Sequence, residues 1–470
     1  MATAPRDAPD PTSALPSWLR TSLVGVLLVF VAVRVVEPLR DPDSFWHIAA
    51  GTYLTRSWDF VTHDPWSASS SEPWIFNQWL PELAMSGAHR LGGYPAVVWL
   101  FSVAAVGVVL AVWATCRARA SMLSAAVTTA MTLYAIAGSL SPRPQLVSFA
   151  LTAVTVHAWL RSIEDHRPRW WLIPLAWLWA CSHGMWFLGG AVGLAVVAGL
   201  AVGRTVRPAA LARLALVAVG CLAVGAITPA GPGLLASPFQ VHGVTAFITE
   251  WQPPAPTDPQ LLLTLALTGL AVLGAGRLPR AHRWPRLLLC AMALGLALSY
   301  VRTIGLAAVL VAPMAAATLH DLTGLHREPS TRRELSVTAA FSAVALTLSG
   351  VLAWTTATDS GLGPEGLRVA LSAAPTGSVV CNDLPYGGWL ILEEPGLRPT
   401  MDSRFEVYSV EQILAYRDFI SGGPGWQHYV AETGCTYALL GPESAIAERL
   451  TRAGWQVTAA SKGTRLLRRS

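Results

Sequence analysis

Two carboxylates, Asp41 and Asp43, follow directly after the first apolar run of the sequence and are separated by a single proline. Side chains this close can share a proton or a divalent cation, which suits a general base or an oxygen-ligand site for Mg²⁺ or Mn²⁺. Asp-Pro-Asp-Ser is also a helix-start signal, with Asp41 as the cap and Asp43 simply solvated. The spacing leaves both interpretations open.

Further histidine and acidic side chains follow within residues 40–94. His63 and Asp64 stand in a Thr-His-Asp-Pro run, which suits a binding loop but is also typical of an ordinary turn, and we favour the turn. His47 we interpret first as an interfacial packing or hydrogen-bonding residue rather than as a ligand.

Two arginines lie at the ends of apolar runs, away from the clusters that contain most basic residues. These are Arg143, in Ser-Pro-Arg-Pro-Gln, and Arg302, in Ser-Tyr-Val-Arg-Thr. A guanidinium in such a place suits a phosphate or pyrophosphate, and the alternative is snorkelling to lipid headgroups. Glu250 is a candidate second acid at the same cavity, although a loop carboxylate needs no special reason. His183 we interpret as hydrogen-bonding a neighbouring helix rather than lining a cavity.

The elements that must position these residues are membrane helices. The chain is 53% hydrophobic and 13% charged, which excludes an ordinary soluble enzyme. Many of its 20 Trp residues stand near the ends of apolar runs, as in the aromatic belts of membrane proteins. We predict a membrane all-α bundle of about 11 helices. Their apolar runs are centred on Leu28, Val106, Thr129, Ala153, Leu178, Val196, Val217, Thr268, Ala293, Val311 and Ala345.

The basic residues orient this bundle. Because the net charge of +5 comes from short clusters between apolar runs, we expect no nucleic-acid partner. Arginines recur in every second segment between the apolar runs, and the positive-inside rule assigns these Arg-rich segments to the cytoplasm. They are Arg117 and Arg119; Arg161, Arg167 and Arg169; Arg204, Arg207 and Arg213; Arg277, Arg280, Arg283 and Arg286; and Arg327, Arg332 and Arg333.

This topology divides the chain into three parts. Residues 1–20 form a cytoplasmic tail, residues 21–358 a multi-helix membrane domain, and residues 359–470 an extracytoplasmic domain. Loops 40–94 and 228–258 fall on the outer side. Runs 170–181 and 286–299 are short for spans of about 20 residues, so one of them is a candidate half-helix lining a cavity.

The C-terminal part has the pattern of a small α/β domain. We predict strands at 378–381 and 436–440 and helices at 410–420 and 445–453, with a partly parallel sheet. Cys381 ends one strand and Cys435 precedes the other. Parallel pairing would place them at opposite ends, so we predict no disulfide bond. The other four Cys residues fall in or beside apolar runs, as buried free thiols do.

Short motifs recur along nearly the whole chain. The first loop contains D-x-D-x-x-W-H (Asp41, Asp43, Trp46, His47), T-x-D-P-x-S (Thr62, Asp64, Pro65, Ser67) and W-L (Trp79, Leu80). R-P-Q follows at Arg143, E-W-Q-P at Glu250, N-D-x-x-x-G-G-x-L at Asn382 and D-S-R at Asp402. Together they resemble a bacterial membrane-protein family of the GT-C glycosyltransferase superfamily. In one departure, Asn77 and Gln78 stand where many relatives have His-Glu.

The resemblance implies a multi-helix enzyme that acts on a sugar linked to polyprenyl phosphate or diphosphate. It assigns Asp41 and Asp43 as catalytic base or metal ligands, and makes Arg143 and Arg302 phosphate contacts. The further candidates for substrate binding are Trp46, His47, His63, Asp64 and Glu250. Asp402 and Arg404 we interpret as a structural ion pair.

We therefore expect a glycosyltransferase of the bacterial cytoplasmic membrane. Its acceptor would be an envelope glycan, lipid or protein at the outer face, and a divalent cation is the one cofactor considered. The alternative is a protein that binds, transports or assembles lipid-linked glycans without chemistry. Transporters show paired broken helices in repeated halves, and this sequence shows none.

Overall fold

The computed structural model describes residues 17–204, 206–236 and 243–470. Most of the predicted tail 1–20 and part of the predicted loop 228–258 therefore lie outside the described residues. Seventeen α-helices form within them. They are α1 (Ser17–Arg34), α2 (Pro42–Ser57), α3 (Trp79–Arg117), α4 (Met122–Ile136), α5 (Gln145–Asp165), α6 (Leu172–Ala180), α7 (Leu188–Gly203), α8 (Pro208–Ala223), α9 (Pro259–Gly276), α10 (Arg280–Ser299), α11 (Ile304–Thr323), α12 (Arg332–Thr356), α13 (Arg368–Ser372), α14 (Leu384–Glu393), α15 (Val410–Ile420), α16 (Trp426–Thr433) and α17 (Ile446–Arg452).

Eight helical segments among the described residues are long and apolar enough to cross a membrane. They are Trp79–Arg117, Met122–Ser139, Gln145–Asp165, Gly184–Gly203, Pro208–Ile227, Pro259–Gly276, Val301–Thr323 and Arg332–Thr356. Three predicted runs are not among them. The described apolar stretch of α1 is short, Ser22–Arg34. Helix α6 has 9 residues, about 13 Å at the usual rise. Helix α10 has 20 residues but includes several arginines.

The segment between α1 and the apolar part of α3 (residues 40–94, the first-loop segment) is folded. Asp41 caps α2, where its side chain accepts a hydrogen bond from the Asp43 amide, and Pro42 occupies the first turn. A two-stranded antiparallel hairpin follows, β1 (Val61–His63) with β2 (Pro73–Ile75). The hairpin leads directly into α3, so both ends of this segment are held by helices.

Helices α2 and α3 lie unusually close together. A Cβ atom built on Gly51 would lie 2.0 Å from the carbonyl oxygen of Glu82, so only glycine fits at this crossing. Helix α3 then breaks at Gly92 and Gly93, the latter with φ of 63°. Its first part therefore packs on α2 while its second part joins the bundle.

The C-terminal region (residues 359–470) contains a five-stranded mixed sheet. Its strands are β3 (Val379–Asn382), β4 (Arg398–Pro399), β5 (Tyr437–Leu440), β6 (Gln456–Ser461) and β7 (Thr464–Arg468), in the order β4-β3-β5-β7-β6. Strand β3 pairs in parallel with β4 and β5, and β7 pairs antiparallel with β5 and β6. The prediction of a small, partly parallel α/β sheet is confirmed.

Cys381 and Cys435 form a disulfide bond with their Cα atoms 5.7 Å apart, so the prediction that they stay unpaired is wrong. That prediction assumes that Cys435 continues the extended backbone of β5. Gly434 instead ends α16 with φ of 66°, a left-handed conformation that suits glycine. Because the chain turns sharply there, Cys435 approaches β3 from α16 and not along the strand. The other four cysteines are free and buried, as expected.

The C-terminal region and the first-loop segment share a hydrophobic core. Trp46 and Trp74 from the loop are buried in one cluster with Met401 and Tyr408. A Cβ atom on Gly388 would lie 2.4 Å from the carbonyl oxygen of Pro42, which shows how closely α14 approaches the start of α2. The two regions therefore form one packed unit around Asp41 and Asp43.

Candidate active site

A cavity of about 1120 Å³ lies between the first-loop segment, the turns at neighbouring helix ends and the C-terminal region. This volume slightly exceeds the range of about 300 to 1,000 Å³ that is typical of pockets for small ligands. Its charged and aromatic lining residues include Asp43, Trp46, His47, Arg143, His183, Glu250, Trp251, Arg302 and Glu406.

Arg143 connects three carboxylates at this cavity. Its Nε donates to Oδ2 of Asp41 at 2.5 Å and lies 3.2 Å from Oδ2 of Asp43, while Nη1 donates to Oε1 of Glu250 at 2.8 Å. The residue stands in the break before α5, which leaves its backbone free of helix geometry. Burial alone lowers the pKa of Arg143, but the three carboxylates together hold it above its ordinary value.

Arg302 approaches the same carboxylate from the start of α11. Its Nη1 donates to Oε2 of Glu250 at 3.3 Å, and the guanidinium lies 5.5 Å from the ring centre of Trp251. Its Nη2 lies 3.4 Å from Nε2 of His183. Glu250 therefore links the two arginines that stood out in the sequence, although 159 residues separate them (302 minus 143).

The pKa values of Asp41 and Asp43 are shifted in opposite directions. Burial, together with the nearby charge of Asp43, raises the pKa of Asp41. Burial acts the same way on Asp43, but Arg143 and the Ser403 hydroxyl hold the pKa of Asp43 below its ordinary value. Asp43 is thus a stable anion that faces the cavity, whereas Asp41 lies behind it as the helix cap and partner of Arg143.

The C-terminal region completes the site around Asp43. Ser403 donates a hydrogen bond to Oδ1 of Asp43, and Trp46 Nε1 donates to the same oxygen at 3.2 Å. Glu406, also from this region, lines the cavity. Neither Ser403 nor Glu406 was predicted as a site residue, because only the docking of the C-terminal region brings them here.

His47 is buried against Glu82. Its Nδ1 lies 3.1 Å from Oε1 of Glu82, and the two side chains are 3% and 1% exposed. The ring also contacts that of Trp46, with centroids 3.6 Å apart and the planes tilted by 37°. His47 is hydrogen-bonded, as its interpretation as a packing or hydrogen-bonding residue expects, and it also lines the cavity. Its part in substrate binding stays a prediction. Glu82 was not predicted, since its pairing depends on the close crossing at Gly51.

His63 and Asp64 do not line the cavity. His63 is exposed in β1. Asp64 accepts from the Ser67 amide, as expected of a turn, and binds Arg404 Nη1 at 2.8 Å with both side chains fully buried.

Arg404 also pairs with Asp402 at 2.7 Å, and its guanidinium lies 4.8 Å and 5.1 Å from the ring centres of Trp66 and Trp74. The interpretation of Asp402 and Arg404 as a structural ion pair thus agrees with their full burial. Through Asp64 this pair also fastens the first-loop segment to the C-terminal region.

The residues around Asp41 and Asp43 do not form a fitting site for a divalent cation. The guanidinium of Arg143 lies between the two carboxylates, where a cation would bind. In the part of the chain that the structure describes, no group of three or more His, Cys, Asp or Glu residues could hold a metal ion. Mg²⁺ and Mn²⁺ prefer about six oxygen ligands.

Comparison with known proteins identifies the fold. No family model and no curated protein sequence matches the chain. Among solved structures, archaeal oligosaccharyltransferase AglB from Archaeoglobus fulgidus, in complex with an inhibitory peptide and a dolichol-phosphate, aligns with a TM-score of 0.60. The identity is 12%, over 91% of this chain and 70% of that chain. The oligosaccharyltransferase of Archaeoglobus fulgidus in complex with Zn and sulfate aligns with a TM-score of 0.53 at 12% identity, over 89% and 68% of the two chains.

A third structure, ArnT from Cupriavidus metallidurans bound to undecaprenyl phosphate, aligns over 97% of this chain and 98% of that chain at 14% identity. Its TM-score of 0.47 is too low to support a conclusion about the fold. At 12% identity, the likeness to the Archaeoglobus fulgidus oligosaccharyltransferase shows the fold alone: the chain has the fold of that protein, which agrees with the resemblance that the motifs indicate.

Proposed function

We propose that the chain is a membrane glycosyltransferase that transfers a sugar from a polyprenyl-phosphate-linked donor to an acceptor hydroxyl. One observation carries this proposal: Asp43, Arg143 and Arg302 meet at a single large cavity. A carboxylate can accept the acceptor's proton, and two guanidinium groups beside it suit a phosphate. The fold of AglB, a structure described with dolichol-phosphate, supports a lipid-linked donor.

In this proposal Asp43 is the general base. It lines the cavity, and its lowered pKa keeps it ionised at neutral pH. As the acceptor oxygen bonds to the anomeric carbon, its proton passes to the Asp43 carboxylate. Attack opposite the leaving group inverts the anomeric centre. The nearby negative charge also stabilises the positive charge that develops on the sugar.

Arg143 and Arg302 stabilise the leaving group. The bond between the anomeric carbon and the phosphate oxygen breaks, and its electron pair remains on polyprenyl phosphate, which gains a negative charge. Donors fixed where charge develops are worth more than donors that must reorganise. Glu250 and Asp41 position the two guanidinium groups, and the adjoining rings of Trp46 and His47 form the wall against which the sugar binds.

We place this reaction at the outer face of the cytoplasmic membrane, with an envelope glycan, lipid or protein as acceptor. The Arg-rich breaks support this orientation through the positive-inside rule. The cavity adjoins the N-terminal end of α3, whereas Arg117 stands at its C-terminal end. The Cys381–Cys435 disulfide agrees, since such bonds persist in oxidising compartments.

The direct test is sugar transfer by the purified full-length protein in lipid nanodiscs with radiolabelled polyprenyl-phosphate sugars. We expect transfer by the wild type and by Asp59→Asn, a control at an exposed acid of the first-loop segment, and none by Asp43→Asn. Equal transfer by Asp43→Asn would contradict the assigned base. Binding of lipid-linked sugars without transfer from any donor would instead favour a binding, transport or assembly protein.

A further inference from the structure

His183 lies at a joint where helical geometry is interrupted. Helix α6 ends at Ala180, and a short 3-10 turn, Gly184–Phe187, leads into α7. His183 precedes that turn in extended conformation, with its Nδ1 accepting from the Met185 amide at 3.4 Å. The residue is 4% exposed and lines the cavity. Apart from the face that lines the cavity, the His183 side chain is therefore enclosed by the protein.

The hydrogen bonds behind His183 determine which ring nitrogen carries the proton. Trp179 Nε1 can only donate, and it donates to the Ser148 hydroxyl oxygen at 2.7 Å. The same hydroxyl lies 2.7 Å from His183 Nδ1. If Nδ1 were protonated, its N–H would face the N–H of Met185. Nδ1 must therefore accept from Ser148, and the neutral ring carries its proton on Nε2.

This tautomer leaves two donors side by side. Nε2–H of His183 lies 3.4 Å from Nη2 of Arg302, and neither group can accept from the other. Both residues line the cavity, and Arg302 is oriented by Glu250 through its other terminal nitrogen. An oxygen that accepts from both would satisfy them at once. Phosphate oxygens have the charge and the free lone pairs for this role.

We propose that His183 is a neutral N–H donor that binds, together with Arg302, a phosphate oxygen of the lipid-linked donor. Ser148 and Trp179 hold it in the required tautomer. This inference rests on the proposed function, since it assigns a further residue to the same phosphate. A neutral donor held in place strengthens its bond as negative charge grows on the leaving oxygen, without needing a proton transfer.

Two substitutions of His183 distinguish the loss of the Nε2–H donor from a change in the shape of the side chain. The amide nitrogen of Gln reaches the position of Nε2, whereas that of Asn reaches only the position of Nδ1. We expect His183→Gln to retain most of the affinity for a polyprenyl phosphate. We expect His183→Asn to bind it roughly 10- to 100-fold more weakly, as for loss of one hydrogen bond to a charged group.

The measurement is equilibrium binding to full-length protein in nanodiscs, with three probes. Radiolabelled polyprenyl phosphate reports the site, polyprenol without phosphate reports the integrity of the lipid pocket, and inorganic phosphate is the competitor. Unchanged polyprenol binding with selective loss of the phosphate form in His183→Asn supports the proposal. Equal loss in the Gln and Asn variants, or none in either, would overturn it. Displacement by inorganic phosphate at the affinity of the lipid would overturn the assignment to a lipid-linked group.

Nitrogen NMR of ¹⁵N-histidine-labelled wild-type protein tests the tautomer even where His183→Asn fails to fold. The chain has 11 His residues, and loss of one signal pair in His183→Gln assigns it. We expect an unprotonated Nδ1 and a protonated Nε2, and the reverse pattern would overturn the inference. Phosphate binding that depends on His183 without sugar transfer would sink the proposed function alone. Transfer by His183→Asn with unchanged kcat and KM would sink this inference alone.

Discussion

Arg143 donates a 2.5 Å hydrogen bond from Nε to the carboxylate of Asp41, across 102 residues of sequence. The contact joins the start of α2 to the turn before α5. Because the same guanidinium also reaches Asp43 and Glu250, it sets the relative positions of three segments of the chain. Asp41 therefore serves the site by holding Arg143, and Asp43 by facing the cavity.

Asparagine at positions 41 and 43 should have different effects. Asn caps helices about as well as Asp, so Asp41→Asn keeps α2 intact and loses only the charge that holds Arg143. We expect kcat to fall moderately in this variant. In Asp43→Asn the loss of a general base should lower kcat by roughly 10² to 10⁴-fold. The measurement is the steady-state rate of sugar transfer by each variant. A larger loss of kcat in Asp41→Asn than in Asp43→Asn would reverse the assigned roles.

Lysine should not replace arginine at position 143. One planar guanidinium contacts Asp41, Asp43 and Glu250 together, and a single ammonium cannot match that geometry. We expect Arg143→Lys to lower kcat/KM for the lipid-linked donor by roughly 10- to 100-fold. Arg56→Lys, at an exposed position in α2, is the matched control. Similar kinetics in the two variants would argue against phosphate binding by Arg143.

The acid limb of the pH profile should depend on Arg143. Asp43 must be ionised to act as a base, and Arg143 and the Ser403 hydroxyl hold its pKa below the ordinary 3.8 against the effect of burial. In the wild type, kcat/KM should therefore fall only below about pH 4. In Arg143→Gln the effect of burial is less opposed, so the pKa of Asp43 rises and the acid limb moves to higher pH. If the acid limb stays at the same pH in Arg143→Gln, a group other than Asp43 controls it.

The disulfide should stabilise the C-terminal region. Replacing both Cys381 and Cys435 by Ser should cost about 2 to 4 kcal/mol of unfolding free energy, the usual range for such a bond. Cys221→Ser, at a free cysteine, keeps the disulfide and is the control. Thermal unfolding measures the loss. Thiol titration of denatured wild type should find 4 free thiols before reduction and 6 after it; 6 at the outset would refute the bond.

Arg404 should be required for docking of the first-loop segment. Its side chain is fully buried with Asp64 and Asp402, so Arg404→Met leaves two buried carboxylates without their cation. Breaking a buried ion pair in this way typically costs about 3 to 5 kcal/mol. Arg452→Ala, which removes an exposed ion pair with Glu448, should change little. Equal melting temperatures for the two variants would mean that the buried cluster contributes no stability.

Local patterns were sufficient for much of the secondary structure. Residues 410–420 form α15 as predicted, because a capping box at Ser409 and Gln412 marks its start in the sequence itself. Strands β3 and β5 fall within a residue of their predicted bounds, since both are continuous apolar runs. The hairpin of β6 and β7 was missed. Strand β6 is largely exposed at the sheet edge and has no apolar pattern to recognise.

Residue types and charge distribution in the sequence determined that the chain has many apolar helices, and that Asp41, Asp43, Arg143, Arg302 and Glu250 merited attention. These are properties of single residues and short segments. Only the tertiary structure decided that Arg143 binds Asp41, that Ser403 reaches Asp43, and that Cys435 reaches Cys381. Each of these contacts joins segments that are distant along the chain, and its geometry depends on close packing at Gly51 and Gly388 and on the turn at Gly434, which local sequence patterns do not encode.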